Sequence, residues 1–341
     1  MLLSSDKIYS HSKVFIPLLV SAIMSRYMII ADPNGKGYDF SQKVYEYAKA
    51  KGGDFDFSDV NITRFRDGEI KPKIEKNVRE RTCFFIHDSS KNPSEWFLEL
   101  CLINQALRDS SAEKIVDIMP YLRFSRQDRK DESRVPISAR VVADVVDLYA
   151  DRVLTLDVHN PSIQGFYKMP LDDLQTFPTD INHIKSKHPE VLKDVVVMST
   201  DAGGAKRASY FARALGIGDV AVGYKVRPKA GEVGSLKILG DVSGKNVLIV
   251  DDIIDSGKTL IKAGLEARAE GAKKVSAKCT HGLFTEGVEK FKGIFDYFFM
   301  GDTIKQELIK DDPRETISYT PLIGEAVYRI SKRESLSELF K

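Results

Sequence analysis

The sequence predicts an α/β protein with two tandem domains, each a mainly parallel sheet flanked by helices. The chain has 341 residues, which is enough for about two domains of ordinary size. From residue 27 onward, short apolar segments alternate with segments of helical periodicity. Continuous apolar runs of this kind are typical of strands buried on both faces, as in parallel sheets. Because strands and helices alternate, each half is expected to form an open parallel sheet through βαβ connections.

The first half, residues 27–176, contains the elements of one such domain. Apolar runs predict strands at 27–31, 83–87, 114–119 and 152–156. Helical periodicity predicts helices at 40–50, 95–107 and 136–149, the last with a proline in its first turn.

The second half, residues 177–341, repeats the pattern after the halves part near Phe177-Pro178. Apolar runs predict strands at 194–198, 219–224, 247–250, 275–280 and 297–300. Helices are expected after the first of these strands, ending near 215, and at 260–267 and 322–330. We expect the last helix to pack back on the first domain.

The composition excludes several classes of protein. Hydrophobic residues make up 43% and charged residues 29% of the chain, and the formal net charge is +2. Neither a basic tail nor zinc-finger spacing indicates a nucleic-acid partner. The 3 cysteines are isolated and lack CxxC spacing, which is typical of reduced thiols. We therefore expect a cytoplasmic protein without a nucleic-acid or membrane partner.

Residues 1–26 are expected to form an N-terminal extension outside the fold, disordered or absent from the mature protein. Within it, residues 14–24 are apolar but too few to span a bilayer, and they include a proline. A signal peptide is the alternative, since lysines precede this run and small residues follow it.

The most informative stretch follows the strand at 247–250. Asp251 and Asp252 stand at the end of that strand, and Asp-Ser-Gly-Lys-Thr at 255–259 leads into a helix. Unpaired N–H groups at a helix N-terminus suit a phosphate, and carboxylates beside it suit sugar hydroxyls or a divalent cation. A capped turn without a ligand is the alternative. A Walker-type loop is excluded because Asp252 stands where that pattern needs glycine.

Polar segments follow three other predicted strands. His159 lies past the strand at 152–156, and one imidazole with waters and phosphates suits Mg²⁺; a packed histidine is the alternative. The Asp-Ala-Gly-Gly segment at 201–204 lets the backbone approach a pyrophosphate. Arg126, in a charged loop after the strand at 114–119, offers a planar fork for phosphate oxygens, unless the loop is only a solvated charge run.

Two further segments are candidates for contacts with a nucleotide. Phe65, beside Asp67 and Glu69, could stack on a purine, although Asp67-Gly68 also suits a plain hairpin turn. Lys225 and Arg227 lie in a basic segment that we expect to be a mobile loop. Such cations could close over a phosphate site and neutralise transition-state charge, or they could serve only solubility.

Taken together, these blocks resemble the ribose-phosphate diphosphokinase (PRPP synthetase) family from about Tyr27 to Lys341. The resemblance rests on five blocks in the family's order: residues 64–69, 126–130, 157–167, 201–204 and 251–259. A plain phosphoribosyltransferase would account only for the last block and would leave the first half without a role. Four departures are visible. Arg123 stands where the family usually has glycine, and Val226 stands between the lid cations where arginine is common. Pro161 and Asp173 occupy positions where the phosphate-activated members tend to carry small polar groups.

The resemblance implies two phosphoribosyltransferase type I domains and transfer of the β,γ-diphosphoryl group of ATP to the C1 hydroxyl of ribose 5-phosphate. Mg²⁺ would be the cofactor, and the chain would self-associate into hexamers built from dimers. A non-catalytic relative that regulates an active partner is the alternative, but the residues expected of an enzyme are present.

The resemblance also implies roles for individual residues. ATP would be held by Phe65, Asp67 and Glu69 of a neighbouring subunit and by Arg126, Gln127 and Asp131, and Mg²⁺ by His159 and, through water, Asp201. Asp201, Ala202, Gly203 and Gly204 would bind pyrophosphate, Asp251 and Asp252 the ribose hydroxyls, and Asp255, Ser256, Gly257, Lys258 and Thr259 the 5-phosphate. Lys225 and Arg227 would be the catalytic lid cations.

Overall fold

The computed structural model describes residues 25–218, 220–226, 235–307 and 309–340, and these form two seven-stranded sheets. Nearly all of the predicted N-terminal extension lies outside the described residues, as does Arg227. For Lys225 only the backbone is described. No helix in the described part of the chain is both long and apolar enough to cross a membrane.

The first sheet has the strand order β3-β2-β1-β4-β5-β6-β7, and all neighbours are parallel except β2 and β3. Its strands are β1 (Tyr27–Ala31), β2 (Phe55–Arg64), β3 (Ile70–Ile74), β4 (Thr82–Ile86), β5 (Lys114–Met119), β6 (Arg152–Leu156) and β7 (Leu171–Leu174). The helices of this half are α1 (Tyr38–Ala50), α2 (Pro93–Asp109) and α3 (Ser138–Val146).

The second sheet repeats this arrangement with the order β10-β9-β8-β11-β12-β13-β14, and only β9 and β10 are antiparallel. Its strands are β8 (Val195–Ser199), β9 (Val220–Val226), β10 (Ser235–Leu239), β11 (Asn246–Ile254), β12 (Lys274–Gly282), β13 (Tyr297–Gly301) and β14 (Glu315–Ile317). The remaining helices are α4 (Phe177–Lys187), α5 (Ala205–Ala214), α6 (Lys258–Ala269) and α7 (Thr320–Lys332).

The predicted α/β fold is confirmed, but the four edge strands β3, β7, β10 and β14, the neighbouring strand β2 and the helix α4 were not predicted. Edge strands are covered on fewer sides, so they lack the continuous apolar runs of central strands. β3, for example, alternates between buried and exposed positions, whereas every residue of β4 is buried. The prediction of a loop over 225–232 needs correction at its start, because Lys225 and Val226 are the last residues of β9. Residues 227–232 lie outside the described residues.

Helix α7 joins the two halves by packing against α1. A Cβ at Gly324 would lie 2.7 Å from the ring of Tyr47, so only glycine allows the helices to approach this closely. Glu325 accepts a hydrogen bond from the Tyr47 hydroxyl at 3.1 Å and forms an ion pair with Lys51 at 3.2 Å. One hydrophobic cluster therefore runs through both halves, with Val44 of α1 and Val327 of α7 among its members.

A buried polar network around Lys278 of β12 also connects the halves. The ammonium of Lys278 donates to Thr176 at 2.9 Å and to Thr280 at 2.8 Å, and it pairs with Asp180 of α4 at 2.6 Å. Asp157, directly after β6, lies 3.7 Å from the same ammonium and accepts from Thr176 and Thr280. Burial opposes ionisation of Asp157, but the charge of Lys278 outweighs it and holds the pKa of Asp157 below its ordinary value.

Asp173 of β7 is a third buried carboxylate near this junction. It accepts a hydrogen bond from the Val158 N–H at 2.8 Å and another from Gln175 at 3.2 Å. No lysine or arginine in the described part of the chain forms a salt bridge with it, and burial raises the pKa of Asp173 to about 7.

We expect Lys278→Met to destabilise the protein strongly, because it leaves Asp157 and Asp180 buried without their cation. Removing one partner of a buried ion pair costs about 3–5 kcal/mol. Urea unfolding would measure the change, with Lys262→Met on the exposed face of α6 as the control. Equal stability of the two variants would show that the network contributes nothing to folding.

We expect the free energy of unfolding to fall as the pH rises from about 4 to about 7, because the pKa of Asp173 is raised in the folded state. The folded state keeps a proton there that the unfolded chain, with a pKa near 3.8, releases earlier, so the advantage vanishes above pH 7. Asp173→Asn should remove this part of the pH dependence, whereas Asp109→Asn at an exposed position should not. Identical unfolding profiles for wild type and Asp173→Asn between pH 4 and 8 would contradict this assignment.

Candidate active site

The turn between β11 and α6 has the geometry of an anion site. Gly257 has φ +76°, and a Cβ there would lie 2.1 Å from the ring of Phe291, so no other residue fits without movement. α6 begins at Lys258, and no side chain caps its N-terminus. The N–H groups of its first turn are therefore open to an anion. A cavity of about 260 Å³ lies against this turn and reaches the carboxylates of β11.

Asp251 and Asp252 lie within β11, which continues to Ile254 instead of ending at Val250 as predicted. The pairing with β8 stops at Val250, and beyond it β11 pairs only with β12. The backbone edge that faces β8 is therefore unpaired at the two carboxylates, and both residues line the cleft.

Each carboxylate of this pair has a separate set of partners. Thr200 donates its hydroxyl to Asp251 at 2.7 Å. Arg207 of α5 donates to one oxygen of Asp252 at 2.9 Å, and Nδ1 of His159 lies 2.7 Å from the other. His159 comes from the loop after β6, so this last contact joins the two halves directly across the site.

These contacts separate the acidities of the two carboxyls. Burial, together with the charge of Asp252, raises the pKa of Asp251 to about 7. Burial also acts on Asp252, but the hydrogen bond from His159 and the charge of Arg207 hold the pKa of Asp252 well below its ordinary range. The pKa of His159 is raised in turn by the hydrogen bond to Asp252. The pair thus keeps one firmly ionised carboxylate beside one that protonates near neutral pH.

The segment from Asp201 to Gly204 lies on the other wall of the same cleft. Asp201 accepts a hydrogen bond from the Gly204 N–H at 3.2 Å, and residues 202–204 form one turn of 3₁₀-helix that leads into α5. Asp201, Gly203 and Gly204 line a larger cavity of about 690 Å³ that also contains His159 and the acidic pair.

The charged loop after β5 forms the far side of this cavity. Arg126, Gln127 and Asp131 all line it. Arg126 forms an ion pair with Asp255 of the anion turn at 2.7 Å, and Gln127 accepts a hydrogen bond from Ser138. The Arg126–Asp255 pair is a second polar contact between the halves across the site.

Arg123 is buried behind this loop. Its guanidinium donates to the carbonyl oxygens of Ser89 and Lys91 and so ties the loop after β4 to the loop after β5. Arg123, which stands where the family usually has glycine, therefore has a structural role in this chain.

Three residues named in the sequence analysis do not reach the cleft within one chain. Phe65, Asp67 and Glu69 form the tip of the hairpin between β2 and β3, where Asp67 accepts from the Glu69 N–H at 3.1 Å. The ring of Phe65 is 55% exposed, and none of the three lines either cavity at the site.

Sequence reasoning assigned no role to Arg207, Thr200 and Lys278, which all line the cleft. Arg207 is largely buried, so its charge acts at close range on the acidic pair, and this burial could not be read from a Lys-Arg dipeptide in a helix. The sequence did contain one indication of this role for Arg207. It lies four residues after Gly203, and this spacing places it on the first turn of α5, facing the strand ends.

The cleft also has features that suit a divalent cation. Because Nδ1 of His159 is held by Asp252, the ring presents Nε2 to the cleft, and Nε2 forms no hydrogen bond with any described residue. One oxygen of Asp201 is likewise not used by the bond to Gly204. No group of three or more metal-ligating side chains occurs among the described residues. Mg²⁺ typically takes only one or two protein ligands and completes its shell with water and phosphates.

Comparisons with known proteins agree with this geometry. A family model for the N-terminal domain of ribose phosphate pyrophosphokinase matches residues 34–148, and one for the phosphoribosyl synthetase-associated domain matches residues 224–341. A solved phosphoribosylpyrophosphate synthetase from Mycobacterium smegmatis is similar with a TM-score of 0.78 at 27% identity, over 90% of this chain and 99% of that chain.

Two curated relatives extend over most of the chain. The ribose-phosphate pyrophosphokinase of Hyphomonas neptunium is 38% identical over 295 residues, which cover 84% of this chain and 94% of the relative. That of Campylobacter jejuni is 37% identical over 307 residues, which cover 89% of this chain and 96% of the relative. With this identity over nearly the full length of its relatives, the chain belongs to the ribose-phosphate pyrophosphokinase family.

Proposed function

We propose that the chain transfers the β,γ-diphosphoryl group of ATP to the C1 hydroxyl of ribose 5-phosphate, forming PRPP and AMP for nucleotide biosynthesis. One observation carries the proposal: residues of the two halves meet at a single site. The anion turn and the acidic pair of the second half are in direct contact with His159 and Arg126 of the first half. A plain ribose-phosphate site would need only the turn and the carboxylates of the second half. The contacts from the first half suit an enzyme that holds a second, phosphorylated substrate.

The sugar phosphate would bind on the second half. The N–H groups of residues 255–259 would hold the 5-phosphate, with the helix dipole of α6 favouring its charge. The carboxylates of Asp251 and Asp252 would accept hydrogen bonds from the ribose hydroxyls, and Arg207 and His159 keep Asp252 ionised for this purpose. A fixed ribose places its C1 hydroxyl at a defined point in the cleft.

ATP would bind toward the first half. Arg126, Gln127 and Asp131 line the cavity next to the sugar site, and the segment from Asp201 to Gly204 would hold the diphosphoryl group. Phe65, Asp67 and Glu69 line neither cavity of the site in their own chain. We therefore infer that a second copy supplies this exposed hairpin to the adenine and ribose of ATP, within hexamers built from dimers.

The reaction joins the C1 oxygen to the β-phosphorus and breaks the bond from that phosphorus to the oxygen bridging to the α-phosphate. The C1 hydroxyl loses its proton and AMP leaves. Lys225 and Arg227 would stabilise the charge that develops on the transferred group, since positioning and charge neutralisation supply most of the catalysis in phosphoryl transfer. His159 through Nε2 and Asp201 through water would hold Mg²⁺, which neutralises phosphate charge when bound.

We expect Lys225→Ala to lower the rate of PRPP and AMP formation by several orders of magnitude, because it removes a cation from the transition state. The assay supplies ATP, ribose 5-phosphate and Mg²⁺ and measures both products. Lys237→Ala on the neighbouring strand β10 is the matched control and should retain wild-type activity. A wild-type protein that binds ATP but forms no PRPP would favour a non-catalytic regulatory subunit instead.

We expect Gly257→Ala to raise the KM for ribose 5-phosphate much more than it changes the KM for ATP. Both the positive φ and the contact with Phe291 force the turn to shift, and losing a hydrogen bond to a charged group weakens binding roughly 10–100-fold. Gly293→Ala is the control, since Gly293 has φ +73° but open space around its Cα. Equal effects of the two substitutions would show that backbone strain alone, and not the turn, is responsible.

A further inference from the structure

A second cleft lies between the two halves, at the carboxyl end of the first sheet. It has a volume of about 280 Å³. One wall consists of the loops that follow β1 and β4, including Lys36 and the segment 87–90. The other wall comes from the segment 302–306 of the second half. None of the residues assigned above to ATP, ribose 5-phosphate or Mg²⁺ lines this cleft.

This cleft occupies, in the first half, the place that the sugar-phosphate site occupies in the second. The two sheets have the same strand order, so β1 corresponds to β8 and β4 to β11. In each sheet the strand order reverses between these two strands. Open α/β sheets bind ligands in the crevice at such a switch point, beyond the carboxyl ends of the strands.

The register of the strands extends the correspondence to single residues. Thr82, the first residue of β4, pairs with the first residues of β1 and β5. Asn246, the first residue of β11, pairs in the same way with the first residues of β8 and β12. Counted from these starts, His87 and Asp88 stand at the positions that the acidic pair takes in β11.

His87 and Asp88 offer acceptors for sugar hydroxyls in this cleft. Nε2 of His87 is held by the buried carboxylate of Asp117 at 3.0 Å, and Nδ1 forms no hydrogen bond with a described residue. One oxygen of Asp88 accepts from the Ser90 N–H at 2.9 Å, so the carboxylate is fixed in orientation.

Basic residues from both halves surround the cleft. Lys36 has only an exposed partner, Glu307 at 3.2 Å, and such surface pairs are weak and exchangeable. Lys305 forms no ion pair with any described residue. Arg314 also lines the cleft, but its guanidinium is already paired with Asp312 at 2.6 Å and donates to the carbonyl oxygen of Glu307 at 3.0 Å. An added phosphate would provide acceptors for Lys36 and Lys305.

The two other carboxylates at the cleft are already engaged. Asp39 pairs with Lys43 at 2.8 Å, and Asp302 accepts from the Ser318 hydroxyl at 2.6 Å and from the Tyr319 N–H at 2.8 Å. They therefore oppose a bound phosphate less than free carboxylates would.

Apolar side chains complete the cleft and suit a base. Phe40, Met300 and Ile304 contribute to its lining, next to the polar groups. We propose that this cleft is a second ligand site that takes a ribose phosphate group, as part of a mononucleotide or as free ribose 5-phosphate. The apolar lining favours the mononucleotide. Because both halves form the walls, the ligand bridges them.

The test is calorimetric titration of the full chain with GMP and, separately, with ribose 5-phosphate. Wild type is compared with the charge reversals Lys36→Glu and Lys305→Glu, and Lys262→Glu on α6 is the matched control. We expect GMP affinity to fall at least about tenfold in both cleft variants, while the control binds as wild type does. Thermal unfolding of each variant checks that the fold is retained.

The two ligands distinguish the source of the ribose phosphate. Loss of GMP binding in the cleft variants supports a mononucleotide. Loss of a second equivalent of ribose 5-phosphate, with GMP unaffected or unbound, supports the free sugar phosphate. Binding of both ligands that is unchanged by Lys36→Glu and by Lys305→Glu overturns the proposal. None of these outcomes depends on catalytic activity, so they are independent of the function proposed above.

Discussion

The ion pairs of Lys278 are the interaction on which the geometry of the site depends. This lysine is 3% exposed and bonds to groups from three separate segments: the end of β6, the connection between the halves, and α4. Buried charges are tolerated only when they are paired and fully hydrogen-bonded, so these segments have little freedom to move independently. Asp157 is held in this network, and two residues later His159 meets Asp252. The network thereby determines where the first half contributes to the active site.

The adjacent carboxylates of β11 present a related problem, because two like charges in one buried place repel each other. The structure resolves it by giving them different surroundings. Arg207 and His159 stabilise the charge on Asp252, whereas the hydrogen bonds to Asp251 come from two neutral donors, the hydroxyl of Thr200 and the N–H of Asp252. One of the two carboxyls then protonates near neutral pH, which limits the negative charge next to a site for phosphate.

The two halves share one topology but carry different chemistry. At equivalent positions, counted from the first residues of β11 and β4, the second half has two carboxylates and the first has His87 and Asp88. The turn that follows β11 contains Gly257 and opens a helix N-terminus to an anion. In the first half, Asn92 caps α2 with its own side chain, so that helix N-terminus is already satisfied. The two halves thus have the same fold but different side chains at their clefts. The cleft of the second half has the residues of the proposed catalytic site, and the cleft of the first half lacks them.

The sequence by itself determined the central strands except β2, the helices except α4, and the turn at Gly257. Each of these is a local pattern: a continuous apolar run, a helical period, or a glycine between a strand and a helix. It also identified Asp251 and Asp252, because carboxylates directly after a buried strand stand at the ligand-binding edge. The edge strands escaped this reasoning, since their side chains are only partly covered and carry no clear period.

Only the tertiary structure decided which of these segments come into contact. The contacts of His159 with Asp252 and of Arg126 with Asp255 join residues far apart in the chain, and no local pattern records such a distance. Arg207 became visible as a partner of the acidic pair only once its burial was known. The hairpin of Phe65 was correctly expected as a turn, but its separation from the cleft followed from the fold. Packing between the two halves, and not local sequence preference, places these charges beside one another.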